Sequence, residues 1–388
     1  MAEYLTNTTD LTKVASAIRE KGGTSDSLAY PDGFVTAIQA IQTGPELQII
    51  VTVASGAAVT ATKGSLSVSG TSVNGTCTLT VPEPGTWSIS AMLGGETSDT
   101  KTVSVTDSYA VALSFVSATL NDNEWSVIKS VSDAGQGANY WSIGDRKAVA
   151  VSGTVGTQAV NGTYYAYIIG FNHNSSKEGN GITFGTFKTA LSGGTDICLV
   201  DGDYDGYFTN GTKHFNMNHS SSTNAGGWKG CDLRYDVLGS TNTNDGDATV
   251  TTATNPVANT LMAALPSDLR AVMKPMTIYT DNTGGGSDNA SYVTKTTDYL
   301  PLLAEYEIFG IRDYANSAEK NYQAQYAYYS AGNSKVKYCH SATGSKASWW
   351  ERSPACENDK YICHVGGKGN SLRTLAQISF GVAPAFRV

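Results

Sequence analysis

The sequence predicts an α+β protein built from three successive parts. Apolar residues at helical spacing occupy residues 1–44, short alternating segments fill residues 45–116, and residues 117–388 mix strand and helix signals. A chain of 388 residues is long enough for about two to three domains, each with its own core. We therefore expect domains at 1–44, 45–116 and 117–388.

The composition is typical of β-rich, loop-rich proteins found outside cells or in virus particles. Only 15% of the residues are charged, while Gly (41 residues) and Tyr (21 residues) are abundant. The net charge of -8 argues against a nucleic-acid partner, because no Lys/Arg patch with interleaved aromatic residues is present to neutralise phosphates.

The N-terminal segment Met1–Thr6 carries neither the basic nor the apolar region of a secretory signal peptide. No apolar run in the sequence reaches the length needed to cross a bilayer. We expect a protein that is made in the bacterial cytoplasm without a signal peptide, does not insert into a membrane, and works outside a cell only after lysis or within a particle.

The first part, residues 1–44, is predicted to be a pair of short helices. The first helix has Asp10 as its N-cap and ends at Gly22–Gly23, with one apolar face formed by Leu11, Val14, Ala15 and Ile18. The second follows Tyr30–Gly33, with an apolar face formed by Phe34, Ile38 and Ile41. Two such stripes are too few for an independent core, so the pair docks either on a partner or on its own chain. The sequence of residues 11–25 and 30–38 resembles a short N-terminal segment of phage tail and baseplate-associated proteins.

The second part, residues 45–116, is predicted to be a two-sheet sandwich. Seven segments alternate between apolar and polar residues at the spacing of a sandwich, separated by Gly, Pro and Asn turns. These segments are Leu47–Val53, Ala58–Thr62, Leu66–Val68, Cys77–Val81, Trp87–Ala91, Lys101–Val105 and Ala110–Phe115. Trp87 is the predicted core aromatic. The architecture is immunoglobulin-like without a Cys-Trp-Cys frame, and we interpret it as a spacer.

The third part, residues 117–388, carries mixed signals. Strands are predicted at 141–151 and 164–171, and residues 260–273 hold helices broken by Pro266 and restarted by Ser267 as N-cap. Residues 299–310 are predicted to contribute further side chains to the core. Long polar loops are expected at 172–228, 239–256 and 281–296.

The C-terminal stretch combines two core segments with a variegated one. Trp349–Pro354 and Phe380–Val388 are predicted to be buried, because paired tryptophans and an apolar terminal strand carry large buried areas. Residues 355–379 between them contain turn signals at Gly366–Gly367 and Gly369–Asn370. A rigid frame that presents varied side chains is typical of a recognition surface.

No motif in the chain indicates an enzyme or a bound cofactor. Asp201, Asp203 and Asp205 copy the first half of a calcium loop, but Thr212 stands where the bidentate Glu is expected, so an acidic surface turn is favoured over a calcium site. The histidines His173, His214 and His219 are interpreted as polar loop residues. The six cysteines form no C-x-x-C pair and are expected to be free thiols, with one disulfide among Cys339, Cys356 and Cys363 as the alternative under oxidising conditions. No nucleophile elbow or phosphate-binding Gly loop is present.

Six motifs occur in a fixed order over about 250 residues of the third part: Trp141–Asp145, Ile169–His173, Gly226–Arg234, Leu261–Arg270, Trp349–Pro354 and Gly381–Val388. Together they resemble C-type lectin fold domains related to the formylglycine-generating enzyme family, as found in the variable proteins of diversity-generating retroelements. The resemblance implies a C-terminal C-type lectin fold domain, here preceded by the sandwich and the helical module. It also implies a variable region at about 338–380 that binds a ligand.

In that family, variation arises chiefly at Asn codons, whose mutation yields Tyr, His, Ile, Leu, Arg, Ser, Asp, Cys or Phe but not Lys, Gln, Glu, Met or Trp. The run from Tyr338 to Phe380 is rich in the permitted residues. If Val365 faces the core, Ile362 and His364 point outward, since side chains alternate along a strand. The predicted ligand-binding surface comprises Tyr338, His340, Ala355, Asn358, Asp359, Tyr361, Ile362, His364, Asn370, Leu372, Arg373 and Leu375.

These features predict a non-enzymatic receptor-binding protein of a phage tail, located in the virion. Its partners would be a host-surface protein or glycan, tail or baseplate proteins, and copies of itself, with a trimer expected by analogy with the family. One alternative is a structural tail or capsid decoration without diversification. Another is an oxidase of the formylglycine-generating type using Cys356 with Cys363 or Cys339, although the setting of these cysteines does not match that family's catalytic motif.

Overall fold

The computed structural model describes residues 8–22, 27–40, 46–201, 215–219, 221–240, 253–340 and 342–388. The chain divides into two compact units, Met1–Phe115 and Val116–Val388. The predicted third domain, starting at residue 117, begins next to this division. None of the helices in the described ranges is both long and apolar enough to cross a membrane.

The first unit begins with two helices, α1 (Thr8–Gly22) and α2 (Asp32–Ala40). Ala15, Ile18 and Phe34 form their small buried core. Asp10 lies in the first turn of α1, so its predicted role as N-cap is wrong.

Two residues of the predicted apolar faces are exposed: Val14 by 49% and Ile38 by 53%. Helices this short bury only one narrow stripe against each other. The third residue of the second face, Ile41, lies outside the described residues.

The remainder of the first unit contains eight strands, and all seven predicted segments are among them. The strands are β1 (Gln48–Thr52), β2 (Ala58–Lys63), β3 (Leu66–Thr71), β4 (Thr76–Thr80), β5 (Gly85–Leu93), β6 (Glu96–Thr97), β7 (Lys101–Val105) and β8 (Tyr109–Ala112). One sheet has the order β4-β1-β8, and the other has the order β3-β2-β5-β6 with β7 also paired to β5.

The two sheets of the first unit enclose a common core. Trp87 and Ile89 of β5 and Ile49 and Val51 of β1 are fully buried in one cluster. Each of these strands buries every second residue, which is why the period-two pattern identifies them. The prediction of Trp87 as the core aromatic is confirmed.

The second unit is a mixture of short helices and strands. Its helices are α3 (Trp125–Asp133), α4 (Gly137–Tyr140), α5 (Ser175–Glu178), α6 (Asp232–Asp236), α7 (Leu261–Ala264), α8 (Ser267–Val272), α9 (Glu305–Phe309) and α10 (Ala327–Ser330). Short 3-10 turns lie at Leu120–Asp122, Ala290–Tyr292 and Ser317–Asn321.

Fourteen strands accompany these helices in the described residues. The strands up to residue 298 are β9 (Arg146–Val151), β10 (Thr154–Val155), β11 (Gln158–Ala159), β12 (Gly162–Phe171), β13 (Ile182–Lys188), β14 (Asp196–Ile197), β15 (Met276–Asp281) and β16 (Val293–Asp298). The later strands are β17 (Lys337–Tyr338), β18 (Lys346–Ala347), β19 (Trp349–Pro354), β20 (Tyr361–Val365), β21 (Ser371–Leu375) and β22 (Ala385–Arg387).

The main sheet of the second unit has the strand order β18-β17-β14-β13-β12-β9, and the C-terminal strand β22 pairs with β13. Thr183 lies opposite Arg387 and Gly185 opposite Ala385 in this antiparallel pair. Every residue of β22 is buried. The prediction that the chain ends in a core strand is therefore confirmed.

Several predicted boundaries in the second unit are wrong. The expected loop at 172–228 contains β13 and β14, and the loop at 281–296 contains the start of β16. Almost every residue of β13 is buried, so its sequence lacks the alternation that reveals a strand. Pro266, not Ser267, caps α8, and the first strand starts at Arg146 rather than at residue 141. Most of the predicted loop at 239–256 lies outside the described residues.

Candidate functional site

A separate three-stranded sheet, β19-β20-β21, forms the frame of the predicted binding surface. All six residues of β19 are buried. Trp350 packs in one core cluster with Ile362, whereas Trp349 packs in another with Val365. The indole nitrogens of Trp349 and Trp350 donate to the carbonyls of Lys335 and Phe215 at 2.9 and 2.8 Å. The sheet is thus held by core contacts on both of its faces.

A buried ion pair fixes β19 to the helix α9. Arg352 donates from both terminal nitrogens to the carboxylate of Glu307, at 2.6 and 2.8 Å. Burial alone would raise the pKa of Glu307, but the neighbouring Arg352 outweighs burial and the pKa is lowered. Both partners are therefore charged. A bidentate pair of this kind sets the position of β19 with little freedom.

Next to this pair, Glu351 is fully buried, and neither of its carboxyl oxygens has a hydrogen-bond partner in the described part of the chain. Burial raises the pKa of Glu351 well above its usual range, and the nearby carboxyl groups of Glu305 and Glu319 raise it further. The surroundings of Glu351 therefore favour the neutral form of its carboxyl group, whereas those of Glu307 favour the charged form.

One surface of the frame carries a compact aromatic and charged cluster, which we call the Arg373 patch: Tyr314, Glu357, Tyr361, Arg373 and Leu375. The guanidinium carbon of Arg373 lies 4.2 Å from the ring centre of Tyr314 and 5.9 Å from that of Tyr361. Its Nε forms an ion pair with Glu357. Leu375 lies directly opposite Tyr361 in the β20–β21 ladder.

The position of the Arg373 patch is fixed by contacts from its surroundings. The amide of Cys356 donates to the carbonyl of Tyr314 at 2.9 Å, and the hydroxyl of Ser371 donates to Glu305 at 2.7 Å. Glu305 also accepts from the amide of Tyr314. The side chains of Arg373 and Glu357 nevertheless remain 33% and 40% exposed, so the patch combines fixed geometry with access from solvent.

The loop before β20 is held by one buried asparagine. The side-chain nitrogen of Asn224 donates to the carbonyls of Ala355, Asn358 and Tyr361, at 3.3, 2.8 and 2.8 Å. Its side-chain oxygen accepts from the amide of Gly285 at 2.8 Å. Sequence reasoning missed Asn224, although it lies just before the Gly226–Arg234 motif.

Three predicted surface residues are buried, and their assignment to the surface is wrong. Ala355, Ile362 and His364 are exposed by only 0%, 2% and 4%. The predicted alternation along β20 holds, but β20 is the central strand, and its residues Ile362 and Val365 pack into two different core clusters. The ring of His364 lies 4.6 Å from that of Phe380 and 6.0 Å from that of Trp350. Burial lowers the pKa of His364 to about 4.

The remaining predicted residues are at least partly exposed, but they do not form one cluster. Asn358, Asp359, Tyr361, Asn370, Leu372, Arg373 and Leu375 lie on the β20–β21 hairpin or on the loops at its ends. Tyr338 lies on β17 of the main sheet, opposite Ile197. His340 follows β17, and its Nε2 lies 3.2 Å from the hydroxyl of Tyr164.

Of the three aspartates that copy a calcium loop and are predicted to form an acidic surface turn, Asp201 is buried, and its carboxylate accepts from the amide of His340. Asp203 and Asp205 lie outside the described residues. Over the described ranges, no group of three or more His, Cys, Asp or Glu side chains has an arrangement suited to a metal ion. All six cysteines are free thiols. Burial raises the pKa of Cys363 well above its usual range.

Comparison with known proteins gives a family without an assigned function. Residues 207–388 are similar to a protein family described as a domain of unknown function (DUF6273). This similarity covers the three-stranded frame and the whole Arg373 patch. A comparison with curated proteins finds no match.

Proposed function

We propose that this chain is a non-enzymatic receptor-binding protein of a phage tail, and that the Arg373 patch binds a ligand on the host surface. The observation that carries the proposal is the fixed stacking of Arg373 over Tyr314, beside Tyr361, on a sheet with core on both faces. Tyr and Arg dominate the binding energy of protein interfaces, and prior fixation lowers the entropy lost on binding.

The fold is part of the same proposal. We assign a C-type lectin fold to the second unit, supported by the pairing of the C-terminal strand with the main sheet and by the separate sheet β19-β20-β21. We assign an immunoglobulin-like architecture to the sandwich, supported by its two antiparallel-rich sheets around Trp87. A location in the virion is supported by the ordered sequence motifs and by the resemblance of the N-terminal sequence to a segment of phage tail proteins.

The helical module is proposed to attach the protein to tail proteins or to sister subunits. Its support is a core with three buried residues among the described part of the module, beside exposed apolar side chains that include Tyr30, Val35 and Ile38 at 63%, 52% and 53%. Exposed apolar residues of this density favour a covered face in the assembly. A trimer would multiply weak binding sites through avidity.

The test is binding of the fluorescently labelled full-length chain to whole bacterial cells, measured by flow cytometry on a panel of Gram-positive and Gram-negative strains. The double variant Tyr361→Ala with Arg373→Ala should bind the recognised strain roughly ten-fold more weakly or worse, because it removes both anchors. The control variant Tyr109→Ala with Lys346→Ala changes exposed residues outside the patch and should bind like the wild type. Equal binding by the patch variant and the wild type would refute the proposal.

A further inference from the structure

A cleft of about 240 Å³ lies in the second unit and shares no residue with the Arg373 patch. It is formed by α5 and the residues before it, by β15, and by residues 321–326. Its polar and aromatic lining includes His173, Lys177, Glu178, Tyr279, Tyr322 and Gln323. The cleft is smaller than the pockets of roughly 300–1,000 Å³ that hold drug-sized ligands.

One wall of the cleft is aromatic. The rings of Tyr279 and Tyr322 are stacked, with centres 4.5 Å apart and planes 7° apart. The ammonium group of Lys177 lies 5.4 Å from the Tyr279 ring centre and donates to the carbonyl of Tyr322 at 2.8 Å. Tyr322 is 40% exposed. The wall is therefore fixed in position and still accessible from solvent.

The carboxylates at the cleft are already matched by arginines. Glu307 pairs with Arg352, and Glu178 lies 3.5 Å from Nε of Arg387. Glu178 also accepts from the side chain of Asn174 and from the amide of Thr277. Both carboxylates in the described lining of the cleft thus have a cationic partner, so a positively charged ligand would gain little by entering.

Two acceptors at the cleft lack a hydrogen-bond donor among the described residues. The side-chain nitrogen of Gln323 donates to the carbonyl of Tyr279 at 2.7 Å and to Glu319 at 3.1 Å. Because the carbonyl of Tyr279 can only accept, the Gln323 amide cannot be flipped, and its buried oxygen has no partner in the described residues. Nε2 of His173 lies 3.1 Å from the carbonyl oxygen of Ala324 and must carry the proton. Burial lowers the pKa of His173, so Nδ1 of the neutral ring is an acceptor.

We propose that this cleft binds a neutral polyhydroxylated ligand, such as one sugar ring or a polyol. Hydroxyl groups both donate and accept, so they suit the unpaired oxygen of Gln323, Nδ1 of His173 and the donor Lys177. The tyrosine pair offers an apolar surface to the C–H groups of such a ligand. This site is independent of the Arg373 patch and goes beyond the proposed function.

The test uses saturation-transfer NMR on the full-length chain at millimolar ligand. The neutral probes are glucose, galactose, mannose, N-acetylglucosamine and ribitol, and the charged counterparts are glucosamine and glucuronate. We expect transfer to at least one neutral probe, and weaker transfer to glucosamine because Lys177 repels it. The natural ligand is either the free compound or the same sugar at the end of a surface polysaccharide. The second part of the experiment therefore repeats the measurement with a short oligosaccharide that ends in the bound sugar. Binding of either form at the cleft supports the proposal.

Variants locate the binding. Gln323→Leu and Tyr322→Ala should each weaken binding of the neutral probe roughly ten-fold, as expected for the loss of one hydrogen bond or one packing surface. Arg373→Ser should leave the binding of the neutral probe unchanged. Thermal unfolding midpoints close to the wild type would establish that the variants fold, and Tyr322→Ala carries the test by itself if Gln323→Leu does not fold.

Three results would overturn the proposal. The first is the absence of transfer to every neutral probe and to the oligosaccharide. The second is binding of glucuronate alone that disappears in Lys177→Met, which would make the cleft an anion site. The third is binding that survives the cleft variants and is lost in Arg373→Ser, which would place the sugar on the Arg373 patch and leave the proposed function standing.

Discussion

Replacement of His364 by Leu should remove a specific loss of stability in acid. The imidazole is 4% exposed and packs against the rings of Trp350 and Phe380. Its Nδ1 has no hydrogen-bond partner in the described residues. Burial lowers the pKa of His364 from 6.5 to about 4, so the folded protein keeps this ring neutral at a pH where the unfolded chain protonates it.

The sign and the size follow from these two pKa values. The stability that the neutral ring contributes is fully present above pH 6.5 and is lost as the pH falls towards 4, because the unfolded state binds the extra proton. Each pKa unit corresponds to about 1.4 kcal/mol, so the full loss is about 3 kcal/mol. Leu has a similar volume and cannot be protonated, so the variant lacks this loss.

The assay is urea unfolding of the full-length wild type and His364→Leu between pH 7 and pH 4, followed by tryptophan fluorescence. As the pH falls from 7 to 4, the difference in the free energy of unfolding, variant minus wild type, should increase by about 3 kcal/mol. Leu372→Ser serves as the control, since Leu372 lies opposite His364 and does not titrate. Parallel pH profiles for the wild type and His364→Leu would refute the reasoning.

Further predictions concern other buried charges and the helical module. Glu351→Met should raise the free energy of unfolding at pH 7 by about 1–3 kcal/mol, since it removes a buried unpaired carboxyl group. The raised pKa of Glu351 means that the wild type loses stability as pH rises above 4.5; a variant that keeps this slope would contradict the account. Arg352→Met should cost about 3–5 kcal/mol in urea unfolding because Glu307 is left as a buried unpaired charge, and a cost below about 1 kcal/mol would speak against the ion pair. Val14→Lys with Ile38→Lys should lower the molar mass measured by light scattering to that of the monomer, whereas a wild type that is itself monomeric would contradict self-association.

The sequence predicted the sandwich well because its sheets are covered on one face. Strands β1 and β5 bury every second residue, and this alternation is visible in the sequence. Strand β20 is different, because Ile362 and Val365 pack into two different cores. Period-two reasoning assigns neighbours to opposite faces but cannot tell whether the second face is covered, so it places His364 on the surface.

The candidate site was predicted only in part. Arg373, Tyr361 and Leu375 could be identified because they lie within one short C-terminal stretch. Tyr314 could not be identified, because it is brought to the patch by an isolated β-bridge between Ala315 and Ala355. No local sequence pattern encodes such a contact. The partners of the buried carboxylates were likewise invisible: Glu307 and Arg352 are 45 residues apart in sequence.

The most direct measurement is deep sequencing of codons 335–388, together with the flanking DNA, across a natural population of the gene. We predict amino-acid differences concentrated at the partly or fully exposed positions Asn358, Asp359, Tyr361, Asn370, Leu372, Arg373 and Leu375. We also predict a near-copy of these codons in which the differences fall at template adenines, beside a reverse-transcriptase gene. Buried Ala355, Ile362 and His364 should be constant. Differences spread evenly over buried and exposed codons, or confined to silent changes, would contradict a diversified ligand-binding surface.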